Sequence, residues 1–316
     1  MVEGLAVEVS RLTKHFRSVH AVEDLSFTVA PGRVTGFLGP NGAGKTTTLR
    51  ILLGLVAATS GTATIGGRRY IDLPDPLHTV GAALEATGFH AGRSARDHLR
   101  VLATASGLPQ RRADEVLAQV GLSDDAARRV GGFSLGMRQR LALAAALLGD
   151  PPVLLFDEPA NGLDPEGIVW LRNYLRFLAS EGRTVLVSSH VLSEVEQTVD
   201  DVIIIARGRL IRAAPLADLE GERATLVTSP TADRLAAELA AAGLAAEPIG
   251  GGVLRVRGVM PAQIGALAFR AGVEVHELRQ AENDLESVFL SLTGGNGAPP
   301  GAADTPTGVS TPEVTR

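Results

Sequence analysis

Gly39-Pro40-Asn41-Gly42-Ala43-Gly44-Lys45-Thr46-Thr47 decides the fold. It fits G-x-x-x-x-G-K-[ST], a loop that cradles phosphate. Gly39, Gly42 and Gly44 let the backbone curl around Asn41, so that several N–H groups face one anion. Lys45 can then reach the outer phosphates of a nucleoside triphosphate. The Thr46 hydroxyl can ligate Mg²⁺, with Thr47 beside it. An apolar strand over 34–38 leads into the loop, and a helix over 46–55 leaves it. The N-terminus of such a helix favours negative charge. Lysine occurs only at Lys14 and Lys45, while arginine supplies the other fixed cations. A compact ammonium on a flexible stem suits a phosphate cradle in a way that a planar guanidinium does not.

Working outward, strands alternate with helices. Strands are expected over 5–9, 25–29 and 62–65 from apolar residues at alternate positions. Helices are expected over 96–106, 111–120 and 135–148, the last closed by Gly149-Asp150-Pro151-Pro152. A solid apolar strand over 153–156 follows. Next come a helix over 165–180, a strand over 184–188, a helix over 192–199 and a strand over 202–206. This order implies an α/β fold built on a parallel sheet. After about residue 219 the composition shifts. Strands over 224–228, 245–248, 253–256 and 273–278, with helices over 232–242 and 261–271, give the β-α-β-β-α-β order of a small ferredoxin-like unit. A last helix is expected over 284–292. From Gly294 onward Gly, Pro, Ser and Thr dominate, as in a disordered tail. The expected division is 1–219, with a helical part at about 86–150, then 220–293, then a tail over 294–316.

The chain has 316 residues, 45% hydrophobic and 21% charged, an ordinary globular balance for one large domain and a smaller one. Its net charge of −5 does not suggest nucleic acid as a partner. It has no cysteine, which excludes disulfides and thiolate chemistry and suits a reducing compartment. The N-terminus lacks the basic and apolar regions of a signal peptide. No apolar run approaches the roughly 18 residues that span a bilayer, so a membrane role would work through another polypeptide.

Leu154-Leu155-Phe156-Asp157-Glu158 delivers two carboxylates at the end of a strand. Asp157 can hold Mg²⁺ opposite Thr46, and Glu158 can polarise a water for attack on the γ-phosphate. On its own, Asp-Glu before Pro159 is also a plausible turn.

Phe133-Ser134-Leu135-Gly136-Met137-Arg138-Gln139-Arg140 resembles the LSGGQ signature of ATP-binding-cassette (ABC) ATPases. Asn161-Gly162-Leu163-Asp164 resembles their D-loop, and Ser188-Ser189-His190 their switch-histidine region. The resemblance spans residues 5–210 and implies the P-loop NTPase parallel sheet with antiparallel β and helical subdomains. It implies a head-to-tail homodimer that sandwiches two ATP molecules. Each ATP would lie between the Lys45 loop of one copy and Ser134–Gly136 of the other. His190 would contact the γ-phosphate, and Asp164 would tie the two sites together. Phe16 falls where the family places an aromatic that stacks on adenine, although a core aromatic fits that position equally.

Two positions depart from the family. Glu85 stands where Gln is usual; it can approach Mg²⁺ or water, or be a solvated acid. Leu135 replaces the first signature glycine and leaves Ser134 and Gly136 in place. With Leu285-Glu286-Ser287-Val288-Phe289-Leu290, these features resemble the ATPases of bacterial exporters for bacitracin-like, lantibiotic and other drugs. That implies an ATPase working with a separate integral-membrane permease, peripheral on the cytoplasmic face of the plasma membrane. A loop over 89–100 is a candidate contact with that permease. Other classes remain open: a soluble cassette ATPase acting on ribosomes or DNA, or one serving import or lipid extraction. A single phosphate loop argues against the ribosomal kind. The short stretch from Lys45 to Ser134 leaves no room for the coiled coil of DNA-repair types.

Overall fold

The computed structural model describes residues 3–84, 88–191, 197–219 and 224–280. Glu85, the helix expected over 192–199, the last helix and the tail lie wholly or mostly outside the described residues, and so does the motif over 285–290.

Among the described residues, nine strands in two sheets occupy the first two-thirds of the chain in this order: β1 (Val7–Phe16), β2 (Val19–Val29), β3 (Val34–Leu38), β4 (Ser60–Ile65), β5 (Val80–Ala83), β6 (Val153–Asp157), β7 (Thr184–Ser189), β8 (Asp201–Ala206) and β9 (Arg209–Pro215).

 Three form an antiparallel sheet of order β2-β1-β4, and six form a sheet of order β5-β6-β7-β3-β8-β9. The larger sheet is parallel from β5 to β8, and only the edge pair β8–β9 is antiparallel.

The middle strands are buried on both faces, which is why they read as solid apolar runs. Side chains alternate across a strand, and the two cores follow that alternation. Leu154, Phe156, Val185, Val187, Val202 and Ile204 enter one core, with the helical layer. Val153, Leu155, Leu186, Ile203 and Ile205 enter the other, under the three-stranded sheet. The helices on these faces are α1 (Lys45–Leu52), the short α2 (Pro76–Thr79), α3 (Ala95–Ala105), α4 (Arg111–Gln119), α5 (Leu135–Ala146) and α6 (Pro165–Ser180). α7 (Leu216–Leu219) follows β9.

Several elements differ from the sequence-based expectation. α1 stops at Leu52 rather than at residue 55. Gly54 has φ +68°, and the N–H groups of Gly54 and Leu55 donate to the carbonyls of Ile51 and Arg50. This is a Schellman stop, and the apolar residues beyond it sit outside the helix. β1 and β2 are far longer than expected. Register shifts between Val9 and His15, with Arg11 at φ 46°, break the alternation that a pattern search needs. β9 was not expected at all. Arg207 (φ 50°) and Gly208 (φ 79°) make the two-residue turn that folds it back on β8, and that Arg-Gly pair was the available signal. The stretch over 89–100 is not all loop, because α3 begins at Ala95.

The remaining described residues build β10 (Ala224–Thr228), α8 (Ala232–Ala241), β11 (Ala246–Gly250), β12 (Val253–Arg257), α9 (Pro261–Ala271) and β13 (Glu277–Gln280). Their sheet is antiparallel with order β11-β12-β10-β13, the ferredoxin-like arrangement that the element order implies. It has its own core, centred on Val227, Leu235, Leu239, Leu254, Val256 and Ile264. The last strand begins at Glu277, later than expected.

Candidate functional site

β3, β6 and β7 are adjacent parallel strands, so their C-terminal ends open at one edge of the sheet, where α/β proteins bind ligands. The phosphate loop leaves β3, Asp157 and Glu158 end β6, and Ser188, Ser189 and His190 end β7.

The loop requires its glycines. Gly44 caps α1 at φ 107°, and a Cβ there would stand 2.5 Å from the Ala21 carbonyl oxygen. A Cβ on Gly39 would stand 2.5 Å from the Ile205 carbonyl oxygen. The chain thus passes close to β2 and β8 in a curve that only glycine permits. Asn41 and Gly42 form the exposed crest, and Thr47 follows in the first turn of α1. Lys45 is buried at 6% exposure, and its Nζ donates to the Gly39 carbonyl at 2.7 Å and lies 3.2 Å from Glu158 Oε1.

Asp157 and Thr46 meet as expected: the Thr46 hydroxyl donates to Asp157 Oδ2 at 2.6 Å. The other carboxylate oxygen accepts from the Ser188 hydroxyl. A hydroxyl and a carboxylate side by side are the hard oxygen donors that Mg²⁺ takes, and the donor set fits that ion. The described residues hold no cluster of three or more His, Cys, Asp or Glu that could serve as a metal site by itself.

Glu158 sits at φ 52°, a left-handed backbone in a non-glycine residue. Such conformations cluster at functional sites, because the surroundings must hold them. Here the Glu158 N–H donates to the Ser188 hydroxyl at 2.9 Å. Its carboxylate meets three groups: Lys45, Asn161 Nδ2 at 3.3 Å and His190 Nδ1 at 2.5 Å. The turn lets two consecutive residues both face the crevice, so Asp157 faces the Thr46 hydroxyl while Glu158 faces Lys45 and His190.

Ser134 and Asp164 lie apart from this cluster, as halves of a separate cleft of about 440 Å³. Each caps a helix. Ser134 Oγ accepts from the Met137 N–H at 3.2 Å, and Asp164 Oδ1 accepts from the Gly167 N–H at 2.8 Å. Gly136 lies in the first turn of α5. Phe16 is 45% exposed at the end of β1, with Lys14 Nζ 4.7 Å from its ring centre, so it is not a core aromatic. Glu85 lies outside the described residues. Sequence reasoning missed the part played by Ser188, which joins the two acidic residues. The sequence places Ser188 beside His190, but only the register of β6 and β7 sets it opposite Asp157.

Residues 22–161 match the family described as "ABC transporter", and residues 223–286 match a "Domain of unknown function (DUF8746)". The chain is 38% identical over 298 residues to the bacitracin transport ATP-binding protein BcrA of Bacillus licheniformis, covering 92% of this chain and 97% of that protein. It is 38% identical over 205 residues to the lantibiotic transport ATP-binding protein SrtF of Streptococcus pyogenes, covering 65% of this chain and 89% of that protein. Among solved structures, an ATP-binding subunit of an ABC transporter superposes with a TM-score of 0.61 at 30% identity, covering 68% of this chain and 91% of that one. The dimeric cassette MJ0796 bound to ADP and Pi shares the fold, with a TM-score of 0.61 at 24% identity over 66% of this chain and 98% of that one. The α/β fold, the phosphate loop and these likenesses agree: the chain belongs to the ABC transporter family, as an ATP-binding, ATP-hydrolysing subunit.

Proposed function

We propose that this chain powers export of an antibiotic or antimicrobial peptide through a separate integral-membrane permease. The observation that carries the reading is the near full-length likeness to a bacitracin transport ATP-binding protein. No helix among the described residues is long and apolar enough to cross a membrane, which suits a subunit held at the cytoplasmic face by its permease. A cleft of about 260 Å³ between the end of α1, α2, α3 and α5 leaves Leu55, Leu77 and Leu102 exposed. Grouped apolar side chains of this kind favour a protein partner.

Residues 1–219 form the nucleotide unit in this reading, and 220–293 a second domain. ATP lies in the Lys45 loop, with Phe16 against the adenine. Two copies meet head to tail, so that Ser134 and Gly136 of one complete the site of the other. Thr46 and Asp157 would hold Mg²⁺, which would supply positive charge to neutralise the phosphate oxygens. Glu158 accepts a proton from the attacking water, and His190, in contact with Glu158, orients that carboxylate and meets the γ-phosphate. Asp164 links the two sites.

Extraction of native membranes with a tagged chain tests the reading. An integral-membrane protein should co-purify and stimulate ATP hydrolysis. Repeated isolation of the chain alone overturns the permease assignment.

A further inference from the structure

The four-stranded sheet of the second domain has two unlike faces. Val227, Leu254 and Val256 join α8 and α9 in its core. Side chains alternate along a strand, so Leu226, Val253, Arg255, Arg257 and Arg279 stand on the opposite face. The register sets Glu247, Arg255, Leu226 and Arg279 in one row across β11, β12, β10 and β13. Leu226 thus lies between two arginines.

Charge on this face is unbalanced. Glu247 lies 3.9 Å from Arg255 and 3.4 Å from Arg257, so one carboxylate serves two guanidinium groups. Arg279 pairs with Glu277 at 3.1 Å. Partly buried Leu226 and Val253 are therefore set among three cations and two carboxylates. A sheet face that is apolar at its centre and basic around it fits an acidic segment with an apolar stripe.

The chain carries such a segment directly after β13. Residues 281–292 hold three carboxylates, Glu282, Asp284 and Glu286, and no lysine or arginine. In the helix expected over 284–292, Leu285, Val288, Phe289 and Leu292 recur at i, i+3, i+4 and i+7 as one apolar stripe. Asp284 and Glu286 flank Leu285, one on each side, as Arg255 and Arg279 flank Leu226. The family match over 223–286 continues past Gln280, where β13 ends. The lengths agree too. A helix over 284–292 is about 13 Å long, and four strands about 4.8 Å apart span roughly 14 Å. Residues 281–283 can bridge up to about 10 Å from the edge strand to the face.

We propose that residues 282–292 fold back across this open sheet face as its cover. Leu285, Val288 and Phe289 rest on Leu226 and Val253, while Glu282, Asp284 and Glu286 meet Arg255, Arg257 and Arg279. Apolar burial supplies most of the driving force, because exposed ion pairs add little. The charges fix which way the segment lies. The contact stands apart from the ATP site and from the permease.

The chain has no cysteine, so two introduced thiols can form a single disulfide within one molecule. Leu226→Cys with Val288→Cys, in the full chain under mild oxidation, should cross-link most molecules internally, which requires Cα atoms within about 7 Å. Phe269→Cys with Val288→Cys should not, because Phe269 is exposed on α9, on the helical side of the sheet. Hydrogen exchange is the second readout. Amides of 284–292 should exchange at least about 10-fold more slowly in the parent than in Val288→Asp. Arg255→Glu with Arg279→Glu should forfeit part of that protection, and ATP turnover should be the same in every variant. A disulfide between two molecules shows a second copy on this face and overturns the proposal. Equal cross-linking at positions 226 and 269, no internal disulfide at 226, or equal exchange in the parent and Val288→Asp overturns it as well.

Discussion

Lys45 Nζ stands 3.2 Å from Glu158 Oε1, so the one lysine of the phosphate loop is paired with the carboxylate at the end of β6. A phosphate seated in the loop competes for that ammonium. In the proposed mechanism, drawing Lys45 away frees Glu158 to receive a proton from water. Glu158→Gln removes both the proposed base and a negative charge beside the phosphate loop. ATP affinity should be kept or increased, while kcat falls by about 10²- to 10⁴-fold. Gel filtration with ATP should show a dimer, and undiminished turnover would exclude Glu158 as the base.

Lys45→Ala removes the buried cation while leaving the curve of the loop intact. Nucleotide affinity should fall by at least about 100-fold, equivalent to roughly 2.7 kcal/mol. Equilibrium binding with a fluorescent ATP analogue measures this, and retained affinity would count against the phosphate-loop assignment.

Ser188 is the register partner of Asp157 across β6 and β7, and its hydroxyl meets both Asp157 and the Glu158 N–H. Ser188→Ala takes a donor from a buried carboxylate, an effect worth about 1–3 kcal/mol. The melting temperature should drop by several degrees. Turnover should fall by about tenfold as Asp157 and Glu158 lose a common anchor. Calorimetry and steady-state ATPase assays on one preparation separate the two effects.

Much of this site was legible because its parts are local. The loop from Gly39 to Thr47 carries its own pattern, and α6 spans Pro165–Ser180 as expected because Asp164 caps it and Pro165 starts it. The link between Ser188 and Asp157 was not legible. It depends on the parallel register of two strands whose contact residues lie 31 apart in sequence, and one sequence does not display register. The separation of Ser134 from the Lys45 cluster within one chain is likewise a tertiary fact. β9 is hard to read because only Gly208 of its two turn residues favours a positive φ, and Arg207 adopts one without a sequence preference for it.

Phe16 is exposed beside Lys14 on the hairpin whose Ala21 packs against Gly44. Loss of an aromatic platform under one base costs about 1–3 kcal/mol. Phe16→Ala should therefore raise the KM for ATP by roughly 5- to 100-fold and leave kcat at saturating ATP nearly unchanged. Phe16→Tyr should restore affinity. A Phe16→Ala enzyme with parental KM would remove Phe16 from the site.

His98 gives the nucleotide unit a pH-dependent stability. It is 8% exposed on α3, packs edge-on against Phe89 with ring centres 5.0 Å apart, and has no partner for Nδ1. Burial, assisted by the Arg93 charge, holds its pKa below the ordinary histidine value. The unfolded chain then takes up a proton more readily than the folded one as pH falls below about 6.5. The stability that His98 contributes is complete above that pH and is lost as pH drops towards the lowered folded value. Denaturant unfolding of the parent between pH 8 and pH 5, about either side of the histidine range, should show this decline. His98→Phe should flatten it by abolishing the proton uptake while keeping the ring against Phe89. A parent and variant with parallel pH profiles would show that His98 is charged, or solvated, in the folded chain.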